Sequence, residues 1–106
     1  MANKRMYIVS GGMIHCDLAN MVCMPALGTA KENQVQSIWA KSPVTCMIIE
    51  NEDGLVLYDT GCHPEAMTVR WDEGNKLRTP VEIGEREGIL AALRTLGYRT
   101  DDVTHI

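Results

Sequence analysis

The sequence of 106 residues contains no Phe, and aromatic residues make up only 5% of it. Its core therefore cannot rest on stacked rings. Aliphatic side chains and seven methionines must fill it, and methionine is flexible enough to pack irregular gaps. No basic run occurs beyond Lys4-Arg5 and the net charge is −4, which leaves nucleic-acid binding through phosphates without support. The apolar run near the N-terminus, Met6 to Val9, is far too short for a signal-peptide core or a membrane span. The expectation is a cytoplasmic chain without a membrane partner, with Cys16, Cys23, Cys46 and Cys62 as free thiols. Metal-ligand spacings are missing too. His15, His63 and His105 stand far apart, and no Cys-x₂-Cys occurs, so no metal ligand is expected within this chain.

What is present reads as an ordered globular sequence, with 45% hydrophobic and 23% charged residues. The length suits one domain or part of one. Met6 to Val9 reads as a strand closed by Ser10-Gly11-Gly12, and Met13 to Asp17 as a second short extended piece. From Leu18 to Pro43 the pattern is weak, with Pro25, Gly28 and a polar run over 31–36. Val44 to Glu50 and Leu55 to Tyr58 are near-continuous apolar runs joined by Asn51-Glu52-Asp53-Gly54, where Gly54 can supply the positive φ of a short hairpin. Runs without alternation predict strands covered on both faces, as in a layered α/β protein.

His63-Pro64-Glu65-Ala66 resembles a helix start with Pro64 at its first position, and Asp72 to Gly84 reads as loop. A helix is predicted over Glu85 to Leu96, with Ile89, Leu93 and Leu96 on one face, Leu90 beside them, and Gly97 as its stop. Val103 to Ile106 opens a further strand. Asp72-Glu73 and Glu82, Glu85 and Glu87 read as solvated charge, and the Cys62-His63 pair as incidental.

The most informative residues are Leu55-Val56-Leu57-Tyr58-Asp59-Thr60-Gly61, an apolar strand ending in a carboxylate, a hydroxyl and a glycine. Strand ends are where α/β proteins place their sites, although a sharp turn that only satisfies its own backbone donors uses the same residues. Asp-Thr-Gly also occurs in retroviral-type aspartic proteases, but there it comes early and is followed by many short strands. Here the largest predicted element after Asp59-Thr60-Gly61 is a helix.

A wider pattern resembles the metallo-β-lactamase superfamily, and within it the N-acyl homoserine lactonases. Pro43 to Glu50, Glu52-Asp53-Gly54, Leu57 to Gly61, Pro64-Glu65, Leu96-Gly97-Tyr98 and Asp101-Asp102-Val103 fall in the family's order. The resemblance implies an α/β fold, the N-terminal half of an αββα sandwich with a mixed sheet and flanking helices, and makes residues 1–106 an incomplete domain. It implies a hydrolase with two zinc ions that activate a water against a lactone carbonyl. The family's His-x-His-x-Asp-His ligand motif would lie past Ile106, so the chain alone should be inactive.

In this resemblance Asp59 and Gly61 are site-supporting residues, a carboxylate holding the metal loop and its turn glycine. Ile14, Cys16, Met21 and Trp71, with Met24, are candidates to line the substrate, a lactone or other ester. The alternatives are a non-catalytic binding or assembly module and, less favoured, the aspartic protease. Self-association through an exposed sheet face is a further expectation.

Overall fold

The computed structural model of the protein describes residues 4–23, 27–34 and 36–106. Met24 and Pro25, named above, lie outside the described residues. Five strands form one sheet: β1 (Arg5–Asp17), β2 (Trp39–Asn51), β3 (Gly54–Tyr58), β4 (Val81–Glu82) and β5 (Val103–His105). Their order is β4-β1-β2-β3-β5, antiparallel except for the β3–β5 pair, so the sheet is mixed as the resemblance implied.

Ser10-Gly11-Gly12 does not close the first strand. β1 runs through it with a bulge, for Ser10 stands opposite Thr45 and Met13 opposite Pro43. β1 advances three residues (10 to 13) where β2 advances two (45 to 43), one extra residue on β1. That residue reverses the side-chain parity. Tyr7 and Val9 face inward before the bulge, and Ile14 and Cys16 after it, which is why the apolar pattern looked like two short pieces. β2 likewise starts at Trp39, earlier than its apolar run. The β2–β3 loop is two residues, Glu52-Asp53, with the Asn51 side-chain oxygen accepting from the Asp53 and Gly54 amides and Gly54 at φ +142°.

Helix α2 (Ile89–Leu96) packs on the inner face. Leu93 joins Ile48, Leu55 and Leu57 in the core, ringed by Tyr7, Val9, Ile89, Leu96, Tyr98 and Val103. The helix begins four residues later than predicted, at Ile89 behind Gly88 with φ +94°, and Gly97 ends it in the left-handed region as expected. Glu85 to Glu87 instead make a turn, with the Glu87 amide on Gly84 O. Tyr98 donates to Glu50 Oε2 at 2.5 Å and meets the Tyr7 ring edge-on; the carboxylate, then burial, pushes the Tyr98 phenol up.

The expectation of cover on both faces is corrected. Cross-strand partners put Met6, Ile49 and Val56 in one outer row and Ile8, Met47 and Tyr58 in another. Met6, Ile8 and Tyr58 remain 60%, 68% and 63% exposed, so this chain covers the inner face alone. The segment after the corner also differs from expectation. Pro64 precedes a π-helical turn (Ala66–Arg70), and the supposed loop over Asp72–Gly84 contains a short helix α1 (Glu73–Arg78) and β4. Asp72 caps α1 by accepting from the Asn75 amide, a local signal within reach of the sequence.

β4 is fastened to β1 by two residue pairs, by His15 N on Pro80 O at 2.9 Å, and by Glu82. The Glu82 carboxylate lies 3.3 Å from Lys41 Nζ and 3.4 Å from His15 Nε2; the latter contact is close enough for an ion pair but not aligned as a hydrogen bond. Lys41, then His15, holds the Glu82 carboxyl below its ordinary value. A depressed carboxyl pKa contributes stability that is present above the unfolded value and lost as pH falls through the folded one. The urea midpoint of the wild-type chain should therefore exceed that of Glu82→Gln at neutral pH, and the difference should vanish on acidification below the carboxylate range. A difference independent of pH would contradict this.

Candidate functional site

β3 ends at Tyr58, and the next four residues make a corner whose shape is set by backbone contact. Asp59 adopts φ +67°, the one non-glycine residue with positive φ among those described, and its Oδ1 accepts from the Gly61 amide at 2.8 Å. Asp tolerates the left-handed region because its short side chain can bond locally in this way. Gly61 follows at φ +68°. Its packing is closer than its conformation alone requires: a Cβ there would fall 2.8 Å from Gly11 Cα and 3.0 Å from Cys46 Sγ. Conversely, a Cβ on Gly11 would fall 2.9 Å from Gly61 Cα and 2.7 Å from Cys46 Sγ. The corner sits on the β1 bulge with two glycines face to face, and the Cys62 amide donates to Gly11 O at 2.8 Å.

Asp59 is exposed, and its Oδ2 accepts no hydrogen bond among the described residues. One carboxylate oxygen thus holds the turn and the other has no hydrogen-bond partner among the described residues.

Beside the corner lies a cavity of about 200 Å³, lined on one side by Thr60 to Pro64 and on the other by Glu87 to Leu90. Cys62 faces both acidic groups. Burial first, then Asp59 and Glu87, push its thiol up, and burial followed by Asp59 and Cys62 does the same to Cys46. Both thiols are protonated at neutral pH and are poor nucleophiles. His63 Nδ1 accepts from the Glu65 amide at 3.0 Å and shapes the turn into the π-helical segment.

Among the described residues no group of three or more His, Cys, Asp or Glu side chains converges, so the described residues by themselves do not fit a metal centre. No helix of the described residues is long and apolar enough to cross a membrane.

The expected site residues are only partly gathered. Asp59 and Gly61 share the corner, whereas the cavity beside it takes none of Ile14, Cys16, Met21 or Trp71. Cys16 is a correction: at 1% exposure it is sealed in the interior and cannot line a substrate surface. Ile14 and Trp71 are half-buried, Met21 is exposed after the 3₁₀ turn Leu18–Asn20, and Met24 lies outside the described residues. Sequence reasoning missed Ser10, Gly11, Gly12 and Glu87. A glycine pair inside a strand pattern was the available signal, since it marks a bulge or a close backbone approach.

No protein-family model matches the sequence. Over 109 aligned residues the chain is 34% identical to N-acyl homoserine lactonase AiiB of Agrobacterium fabrum, and 31% identical to the lactonase of that name from Rhizobium rhizogenes. The alignments take in all of this chain but only 39% of each relative, so the chain spans well under half the length of the curated relatives it matches. An N-acyl homoserine lactone hydrolase with the product N-hexanoyl-L-homoserine bound at its catalytic metal center superposes with a TM-score of 0.66 at 24% identity, over 97% of this chain and 39% of that one. A quorum-quenching N-acyl homoserine lactone hydrolase superposes with a TM-score of 0.64 at 25% identity, over 97% of this chain and 36% of that one. The fold is that of part of a metallo-β-lactamase-type lactonase, and the resemblance read from the Asp59 corner and its flanks holds along the whole chain. The all-β frame that an aspartic protease needs is not the one observed.

The Gly11–Gly61 contact generates a direct test. Gly61→Ala adds a methyl where 2.8 Å is available and strains a left-handed residue, so it should destabilise the chain by more than about 1 kcal/mol and speed alkylation of Cys62. Unfolding midpoints and alkylation rates equal to wild type would refute the close-contact account.

Proposed function

We propose that residues 1–106 are the N-terminal part of a metallo-β-lactamase domain that opens the lactone ring of N-acyl homoserine lactones, the reaction of quorum quenching. The chain's part is the frame: a sheet, a helix layer and the corner that supports the site. The observation that carries this reading is Asp59, fixed in a left-handed conformation at the end of β3 with one carboxylate oxygen left over for a neighbouring loop. The zinc ions, two in number, are held by residues outside this chain. Gly61 allows the corner to seat, and Ile14, Met21 and Trp71 border the substrate. The protein acts in the cytoplasm on a small lactone or related ester.

One observation favours a second role for the chain by itself. The outer face, with Met6, Ile8 and Tyr58 exposed, needs a further apolar layer, and in isolation a second copy supplies it. The chain alone is then a self-associating module without activity. It should retain no stoichiometric zinc through dialysis, turn over no acyl homoserine lactone, and sediment above monomer mass. Turnover by the chain alone would overturn the assignment of the metal ligands to residues outside it.

The role of Asp59 is testable in a chimera carrying this chain in place of the aligned segment of the Agrobacterium fabrum lactonase. Asp59→Asn keeps the turn, since Asn tolerates the left-handed region, but presents a neutral group to the metal loop. Substitution of groups that orient metal ligands costs about 10–100-fold in metal affinity or activity. The variant should fold, bind zinc more weakly by that factor and regain part of its activity with added zinc. Wild-type zinc affinity in the variant would reduce Asp59 to a turn residue.

A further inference from the structure

Two consecutive carbonyls of the β1 bulge hold two different loops. Ser10 O accepts from the Gly88 amide at 3.0 Å, at the head of α2, and Gly11 O accepts from the Cys62 amide at 2.8 Å, in the corner. The Ser10 hydroxyl adds a third tie, donating to Glu87 Oε2 at 2.6 Å, while Glu87 Oε1 accepts from the Gly84 amide at 3.2 Å. The two loops so held are the facing walls of the cavity beside Asp59.

Helix α2 has no side-chain cap at Gly88, so its first turn is not pinned by its own sequence. It is pinned from β1. Between the Ser10 and Gly11 carbonyls stand only the φ and ψ of Gly11, and the Gly11 Cα is wedged against Gly61 and Cys46. A movement of one carbonyl is therefore felt by the other.

We propose that Ser10 is a positioning residue for the Asp59 corner: by holding Glu87 and Gly88 to the bulge it fixes the Gly11 backbone, and through Gly11 the seat of Gly61 and Cys62. Its functional meaning rests on the reading of Asp59 as the carboxylate that supports the site; the contacts themselves do not. Ser10 touches no reacting atom. It acts through Gly11, across a hydrogen bond made at the surface.

The test uses this chain with Ser10→Ala and Glu87→Gln, neither of which alters a corner residue. Amide exchange is read at Gly88 and Cys62, and the Cys62 thiol is titrated by thiolate absorbance as the difference from Cys62→Ser. In Ser10→Ala both amides should exchange about tenfold faster, the scale of a lost hydrogen bond to a charged group, and the thiol should ionise at lower pH as water enters the corner. Glu87→Gln keeps one oxygen to accept from the Ser10 hydroxyl and gives up the Gly84 tie, so the Gly88 and Cys62 amides should stay protected while the thiol titration moves down through the lost charge. Faster exchange at Gly88 with an unchanged Cys62, or no change at either, would overturn the proposal. The Asp59→Asn chimera fails or succeeds independently, so a failed coupling and a failed functional reading are distinguishable.

Discussion

Everything at the candidate site depends on two backbones meeting without side chains between them. Gly11 and Gly61 approach so closely that a Cβ on either would penetrate the other, and the Cys62 amide completes the contact on Gly11 O. A side-chain interface can relax by changing rotamers, but a backbone contact can respond only by moving a whole strand. The height of the Asp59 corner above the sheet is therefore fixed by the course of β1, a strand nearly fifty residues earlier, and not by the corner's own sequence. The bulge serves two ends: it brings the carbonyls to the corner, and it restores inward parity to Ile14 and Cys16 beyond it.

The same parity divides the outer face into two regions. Before the bulge it carries Met6 and Ile8 against Ile49 and Met47; after it, His15 stands opposite Lys41 with Glu82 alongside. An apolar layer placed on this face would be anchored by hydrophobic burial at one end and by charge at the other. The thiols follow a different logic. Cys46 and Cys62 lie beside the Gly11–Gly61 contact, where burial and the Asp59 charge push both thiols up, so they act as small packing groups.

The sequence made the long elements and the corner legible for physical reasons that can be named. Gly54 and Gly97 mark positive-φ positions that few other residues fill, and Ile89, Leu93 and Leu96 repeat at helical spacing, so the hairpin and the end of α2 followed directly. Asp59 was singled out because a carboxylate ending an apolar strand is chemically conspicuous. The bulge was legible only through its glycine pair, because one extra residue makes a single strand look like two and a glycine pair can end a strand as readily as bend it. Helix α1 was missed because its six residues hold a single large apolar side chain, Leu77, and so carry no apolar period; its cap at Asp72 was the usable cue. The misplacement of Cys16 has the same origin as the misread strand, since the bulge decides which of its residues turn inward.

The two-residue β2–β3 loop carries a consequence for how the corner comes into being. Pairing Ile48 with Leu57 requires closing a short local loop, whereas pairing Val9 with Cys46 requires gathering the long stretch between β1 and β2. Closure entropy grows with the length of chain enclosed, and long-range pairings are the slow ones. Closure entropy therefore favours the central hairpin over the docking of β1, which brings the bulge with it. Without β1, nothing holds the left-handed turns of Asp59 and Gly61 to the sheet. A defect confined to β1 docking would leave the hairpin pairing intact and the corner unsupported.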